Sequence, residues 1–100
     1  MLSIEILMIN NLETRQITIR GKVQGVGFRN WIKKTCANLS LVGNVRNTLD
    51  MTVEVIITGP KVHVDKFCDK CQSGPILAQV ESVNIKTTNL KEFSSFKIIY

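Results

Sequence analysis

No stretch of this 100-residue chain approaches the ~20 consecutive apolar residues that a membrane-spanning helix requires. The longest candidate, Leu2 to Ile9, is short and contains Glu5. That segment lacks a basic lead, and Asn10-Asn11-Leu12-Glu13 behind it offers no small-residue cleavage site, so a secretory leader is not expected. Three cysteines are an odd number in a chain large enough to hold its own core, which argues against a disulfide scaffold and for reduced thiols. These absences lead to the expectation of a cytoplasmic protein that does not enter a membrane. Repeats, low-complexity tracts and interdomain linkers are missing too, so one folded domain is expected.

Acidic residues are absent from a long central stretch. Residues 15–47 carry seven basic groups (Arg15, Arg20, Lys22, Arg29, Lys33, Lys34, Arg46) and no carboxylate, whereas residues 48–100 hold six of each sign. The net charge of +5 is therefore concentrated in the first half, which should attract anions. A nucleic acid, a membrane surface or a small phosphorylated metabolite would all answer that field.

Strict alternation from Arg15 to Gln24 places Ile17, Ile19, Gly21 and Val23 on one face of a half-buried strand. After Gln24-Gly25-Val26-Gly27, the spacing of Phe28, Ile32, Cys36 and Leu39 predicts a helix with Lys33 and Lys34 off its apolar face. Leu41–Asn47 and Thr52–Thr58 read as a hairpin turning at Thr48-Leu49-Asp50-Met51. Gly59-Pro60 opens a second helix with proline in its first turn. Its buried stripe is Val64, Phe67, Cys68 and Cys71, and Ser73-Gly74-Pro75 stops it. Ile76–Lys86 reads as a strand whose apolar parity shifts near Ser82, as at a bulge, and Phe96, Ile98 and Tyr100 form a last strand after the polar loop Thr87–Glu92. The order βαββαβ, with an extra strand at the end, predicts an α+β ferredoxin-like sandwich: an antiparallel sheet with two helices on one face.

The segment richest in chemistry is Gly21-Lys22-Val23-Gln24-Gly25-Val26-Gly27-Phe28-Arg29, a strand leading through a tight loop to a helix start. Glycines there allow successive backbone N–H groups to converge, and the helix start adds unpaired donors and partial positive charge. Arg29 stands where a cation opposes the helix dipole unless an anion lies beside it, and its guanidinium can fork onto two phosphate oxygens. The segment lacks the Gly-Lys-Ser/Thr of a P-loop and the third glycine of a dinucleotide fingerprint.

That segment, together with Leu39-Ser40-Leu41-Val42-Gly43-Asn44-Val45-Arg46-Asn47, Asp50-Met51-Thr52-Val53-Glu54 and Gly59-Pro60, closely resembles the acylphosphatases. The resemblance spans Ile17 to Tyr100 and leaves residues 1–14 as an N-terminal extension to a domain over 15–100. It implies hydrolysis of carboxyl–phosphate anhydrides without metal or cofactor. The implied phosphate site is the loop Gln24, Gly25, Val26, Gly27 and Phe28 with Arg29, and Asn47 orients the attacking water. The implied partners are a small acyl phosphate and inorganic phosphate as product, for a monomeric enzyme. Two positions depart from the family pattern: Asn44 where tryptophan is frequent, removing an apolar surface expected near the site, and Met51 where glycine is usual and φ > 0 is expected.

Other chemically suggestive residues read as structural. Cys68-Asp69-Lys70-Cys71 falls on the apolar stripe and has no fourth ligand at metal-binding spacing, even with His63. Cys36 also reads as core, His63 as a solvated helix residue and Glu54 as exposed. A basic ferredoxin-like module that binds nucleic acid, or a catalytically weak phosphate-binding domain, are the competing functions. The first would stack bases on strand aromatics, and Ile17–Val23 and its neighbours have none before Phe96.

Overall fold

A computed structural model describes residues 11–100 of the chain. The elements in order are β1 (Leu12–Lys22), α1 (Phe28–Asn38), β2 (Val42–Asn47), β3 (Val53–Pro60), α2 (Lys61–Cys71), β4 (Gln79–Thr88) and β5 (Phe96–Ile99). The strands form one sheet in the order β4-β1-β3-β2-β5. Its first four strands are antiparallel to their neighbours, and β5 joins β2 in parallel, so the expected antiparallel sheet is mixed at one edge. Alternation of Phe96 and Ile98 predicts this last strand, but its parallel pairing with β2 is not readable there, because strand direction is decided by a long-range connection.

β1 starts at Leu12, so residues 12–14 of the expected N-terminal extension belong to the sheet; residues 1–10 of that extension lie outside the described residues. Alternation decides which side chains meet the helices. Ile17 and Ile19 of β1, Val45 of β2 and Val53, Val55 and Ile57 of β3 are fully buried. Against them pack Phe28, Ile32 and Cys36 of α1 and Val64, Phe67, Cys68 and Cys71 of α2, the stripes predicted from helical spacing. Each large aliphatic or aromatic side chain so buried stabilises the fold by roughly 1.5–3 kcal/mol relative to exposure.

Three element boundaries differ from expectation. Pro60 is the last residue of β3 and the N-cap of α2 rather than part of its first turn, since its extended ψ of 137° still belongs to the strand. Ile76 and Leu77 are exposed in a turn closed by the Ala78 N–H donating to Pro75 O (3.0 Å), and β4 begins only at Gln79. The parity shift in β4 is a bulge: Arg20 pairs with Ser82 but Gly21 pairs with Val80, leaving Glu81 as the extra residue.

The connection from β4 to β5 must pass from one sheet edge to the other. It is pinned on the helix-free face by the cross-strand pair Thr14 and Thr58. The Lys91 N–H donates to Thr14 Oγ1 (2.8 Å), and Thr58 Oγ1 donates to Lys91 O (2.8 Å). The 2.6 Å contact between the two hydroxyls must then run from Thr14 to Thr58, because Thr58 has already used its only hydrogen. Both buried hydroxyls and one peptide unit are thereby satisfied in a closed circuit.

Among the described residues, two that are not glycine have positive φ: Ser40 (55°) and Met51 (70°). Ser40 is the left-handed residue of a Schellman ending to α1, with Leu41 N–H donating to Cys36 O and Ser40 N–H to Ala37 O. Met51 closes the β2–β3 turn, as expected of the position where the acylphosphatase pattern has glycine. Replacing either by glycine removes a left-handed penalty of about 1–2 kcal/mol and returns about 0.4–1 kcal/mol through a freer unfolded chain. Ser40→Gly and Met51→Gly should therefore each stabilise by about 0.5–1 kcal/mol in urea unfolding, whereas alanine at either position should give no such gain.

Candidate active site

Val23, Gly25, Gly27, Phe28, Arg29, Asn30, Asn47, Ile98 and Tyr100 line one cavity of about 90 Å³ at the end of the sandwich where β1, β2 and β5 finish. Cavities for larger organic ligands run to ~300 Å³ or more, so this one suits a small ion or group.

The loop between β1 and α1 owes its shape to two left-handed glycines, Gly25 (φ 74°) and Gly27 (φ 77°). A Cβ at either position would touch nothing within 4 Å, so they are required for conformation and not for space. Gly27 is the N-cap of α1, with no side chain accepting from the helix start and no acidic residue in the first turn. The first intrahelical bond runs from Trp31 N–H to Gly27 O (3.1 Å), which leaves the amides of Phe28, Arg29 and Asn30 outside the helical ladder. This is a concentration of unpaired donors on the helix's positive end.

Of the residues expected in the loop, Gly25, Gly27 and Phe28 line the cavity, while Gln24 and Val26 do not. The Phe28 ring is buried, edge-on to Trp31 at 5.4 Å between centroids, so the residue has only its backbone to offer the cavity. Val26 packs on the core. Gln24 turns its carboxamide away: Nε2 donates to Thr48 O (3.0 Å) and Thr52 O (2.8 Å), the two carbonyls at the neck of the β2–β3 hairpin. The loop and the hairpin are thus joined by one side chain. Below that neck, Asp50 accepts from the Thr48 and Thr52 hydroxyls and faces Arg20, which together hold its carboxyl below the usual carboxylate range.

Arg29 and Asn47, far apart in sequence, meet at this cavity. Asn47 ends β2 with its Oδ1 buried and without a hydrogen-bond partner among the described residues. A buried amide oxygen without a partner is costly, and such atoms mark where a ligand or water belongs. Arg29 has no carboxylate within 4 Å among the described residues, whereas Arg15, Arg20 and Arg46 each do. Its guanidinium lies 5.1 Å from the centre of the Tyr100 ring. Ile98 and Tyr100 were not expected at the site. They arrive through the parallel β2–β5 pairing, in which Ile98 sits beside Val45, and no local pattern announces that neighbour.

The remaining candidates stay structural, with three corrections. Asn44 faces the helix-free side of the sheet beside Ile56 and Lys97 and does not line the cavity, so the apolar surface expected of tryptophan there is not a wall of this site. His63 is half-buried, its Nδ1 has no hydrogen-bond partner among the described residues, and it is not the solvated residue expected. Glu54 is likewise only partly exposed and meets Arg46 at 3.3 Å. Cys36, Cys68 and Cys71 are buried free thiols. Burial pushes all three thiols up, Cys36 to about 12, which removes the thiolate needed for redox or metal chemistry.

The fold is a ferredoxin-like sandwich in which a glycine-hinged loop, a helix start and an arginine with no carboxylate within 4 Å among the described residues surround one small cavity. The sequence profile of the acylphosphatases matches residues 15–98. An acylphosphatase of Vibrio parahaemolyticus is 39% identical over 89 residues, covering 89% of this chain and 99% of that one. Solved acylphosphatases from Coxiella burnetii and Bacillus subtilis, both 29% identical, superimpose with TM-scores of 0.89 and 0.85. The first covers 92% of this chain and 97% of its own, the second 89% and 99%. The chain belongs to the acylphosphatase family, whose members hydrolyse acyl phosphates.

Asp50 supplies a pH test of the hairpin neck. A carboxyl held below its ordinary 3.8 stabilises the fold above about pH 4, and that contribution is lost as pH falls through the depressed value. Asp65, held down by Arg15 at 2.7 Å and by Lys61, acts in the same direction. Urea midpoints should fall between pH 5 and pH 3 (roughly the carboxylate range), and less steeply in Asp50→Asn than in the native protein.

Proposed function

We propose that this chain hydrolyses the carboxyl–phosphate anhydride of small acyl phosphates, with Arg29 and the amides of the Gly25–Phe28 loop holding the phosphoryl group and Asn47 placing the attacking water. The observation that carries the reading is the buried, unpartnered Asn47 Oδ1 opening onto the same cavity as Arg29 and the hinged loop. Gln24 and Val26 take part by shaping that loop.

The chemistry asks little beyond this arrangement. The leaving group is a carboxylate, whose conjugate acid has a pKa near 4 like a Glu side chain, so it departs with the bonding electron pair and needs no general acid. Water forms the new P–O bond as the acyl C–O–P link breaks at phosphorus, and its protons pass to phosphate oxygens and solvent. What remains is to balance charge on the equatorial oxygens and to hold the water in line. Arg29 forks onto two oxygens, and preorganised amides add dipoles at no reorganisation cost. Asn47 Oδ1 accepts a hydrogen of the water and aims its lone pair at phosphorus.

The same reading has the enzyme independent of metal, since Arg29 and the amides supply the positive charge and no three His, Cys, Asp or Glu residues come together among the described residues. It works as a monomer in the cytoplasm: one chain supplies every cavity-lining residue, and buried thiols persist there as thiols. No helix among the described residues is long and apolar enough to cross a membrane. A nucleic-acid role finds no support on the helix-free face near the site, where Arg20 and Arg46 already face Asp50 and Glu54.

Hydrolysis of benzoyl phosphate tests the reading. Activity should be unchanged by EDTA, and inorganic phosphate should inhibit competitively. Arg29→Ala should lower phosphate affinity and kcat/KM together by roughly 100-fold, the loss of about 3 kcal/mol of charge-assisted bonding, and lysine should restore little. Asn47→Ala should keep phosphate affinity within about threefold while kcat falls on the order of 100-fold, because water placement matters only during attack. Loss of phosphate binding in folded Asn47→Ala would overturn its assignment.

A further inference from the structure

Arg29 sits on the first turn of α1 with no carboxylate among the described residues to hold it, yet a long flexible side chain must be aimed if it is to fork onto a phosphoryl group. One side chain is placed to do this. The Arg29 Cζ lies 5.1 Å from the centroid of the Tyr100 ring, and Tyr100 lines the same cavity. From these two observations we infer that Tyr100 is a positioning residue for Arg29: its ring holds the guanidinium by cation–π attraction and leaves the N–H donors free for phosphate.

The geometry of the two groups makes this division possible. A guanidinium is planar, with its donors around the edge and none on the face. An aromatic ring attracts the cation through its negative face and takes no hydrogen bond from the edge. A carboxylate in the same place would instead occupy the edge and compete with substrate. The ring also lowers the entropy cost of binding, since the side chain loses fewer rotamers when phosphate arrives.

Tyr100 is brought to the site by β5, whose parallel register with β2 places Ile98 beside Val45 and Ile99 beside Arg46. Ile98 packs on the core, so the strand carrying the ring is fixed even though Tyr100 itself is 96% exposed. The residue lies outside the 15–98 region matched by the family profile. Being exposed, it contributes little to the core, so substitutions there report on Arg29 and not on folding.

The inference rests on the proposed role of Arg29, and the experiment separates the two. Phosphate affinity is measured by calorimetry for the native enzyme, Tyr100→Phe, Tyr100→Leu and Arg29→Ala, with thermal midpoints recorded for each. Tyr100→Phe should match the native enzyme, because the ring is kept. Tyr100→Leu should bind phosphate about two- to fivefold more weakly with an unchanged midpoint, the range expected for a solvent-exposed cation–π contact. Equal affinity in Tyr100→Leu while Arg29→Ala binds weakly would overturn the role of Tyr100 alone. So would a loss in Tyr100→Phe as large as in Tyr100→Leu, which would assign the effect to the hydroxyl. Native-like affinity in Arg29→Ala would overturn the cradle itself and the inference with it.

Discussion

The register between β1 and β3 is the constraint on which the rest depends. Ile17 opposite Val55 and Ile19 opposite Val53 put four fully buried side chains under both helices. The loop that begins at Val23 leaves β1 a fixed four residues beyond Ile19. On the other side, Asn47 lies opposite Val53 in the β2–β3 ladder. One shared residue, Val53, therefore sets the distance between the loop and the asparagine. A slip of one residue would turn Ile17 and Ile19 outward and separate the two halves of the site, so the apolar core, which supplies Val23 and Phe28 to the cavity, enforces the site's geometry.

Polar side chains connect what the core leaves loose. Gln24 ties the loop to the hairpin neck, and the Thr14–Thr58–Lys91 circuit seats the strand connection that delivers β5. Arg15, on the helix side of β1 with its side chain only 11% exposed, is held by Glu13 and Asp65, so its cost of burial is offset by two carboxylates. Arg29 differs from it in lacking such partners among the described residues. Among the arginines of the basic first half, this separates the one whose charge remains available from those consumed by structure.

The departures from the family pattern act at different levels. Met51 strains the hairpin turn, at the far end of a network that Asp50 and the two threonines hold together. The cost falls on stability, because Asn47 precedes the turn and is fixed by its pairing with Val53. Asn44 sits on the opposite face of the sheet, where its polarity is compatible with solvent and with Lys97.

Local periodicity and local chemistry account for one part of this structure. Alternation in Arg15–Gln24, the four-residue spacing of Phe28, Ile32 and Cys36, and the glycine pair before Arg29 each report on atoms within a turn or two along the chain. They yielded the two helices, the hairpin, the bulge near Ser82, the buried cysteines and the glycine-hinged loop before α1. Only the tertiary structure decided three further things: that β5 lies parallel to β2 with Ile98 and Tyr100 at the cavity, that Gln24 faces the hairpin, and that Asn44 faces away from the site. Each of these is a contact between residues far apart in sequence. Such contacts follow from which apolar faces can be buried together, a property of the assembled sheet that no single segment carries.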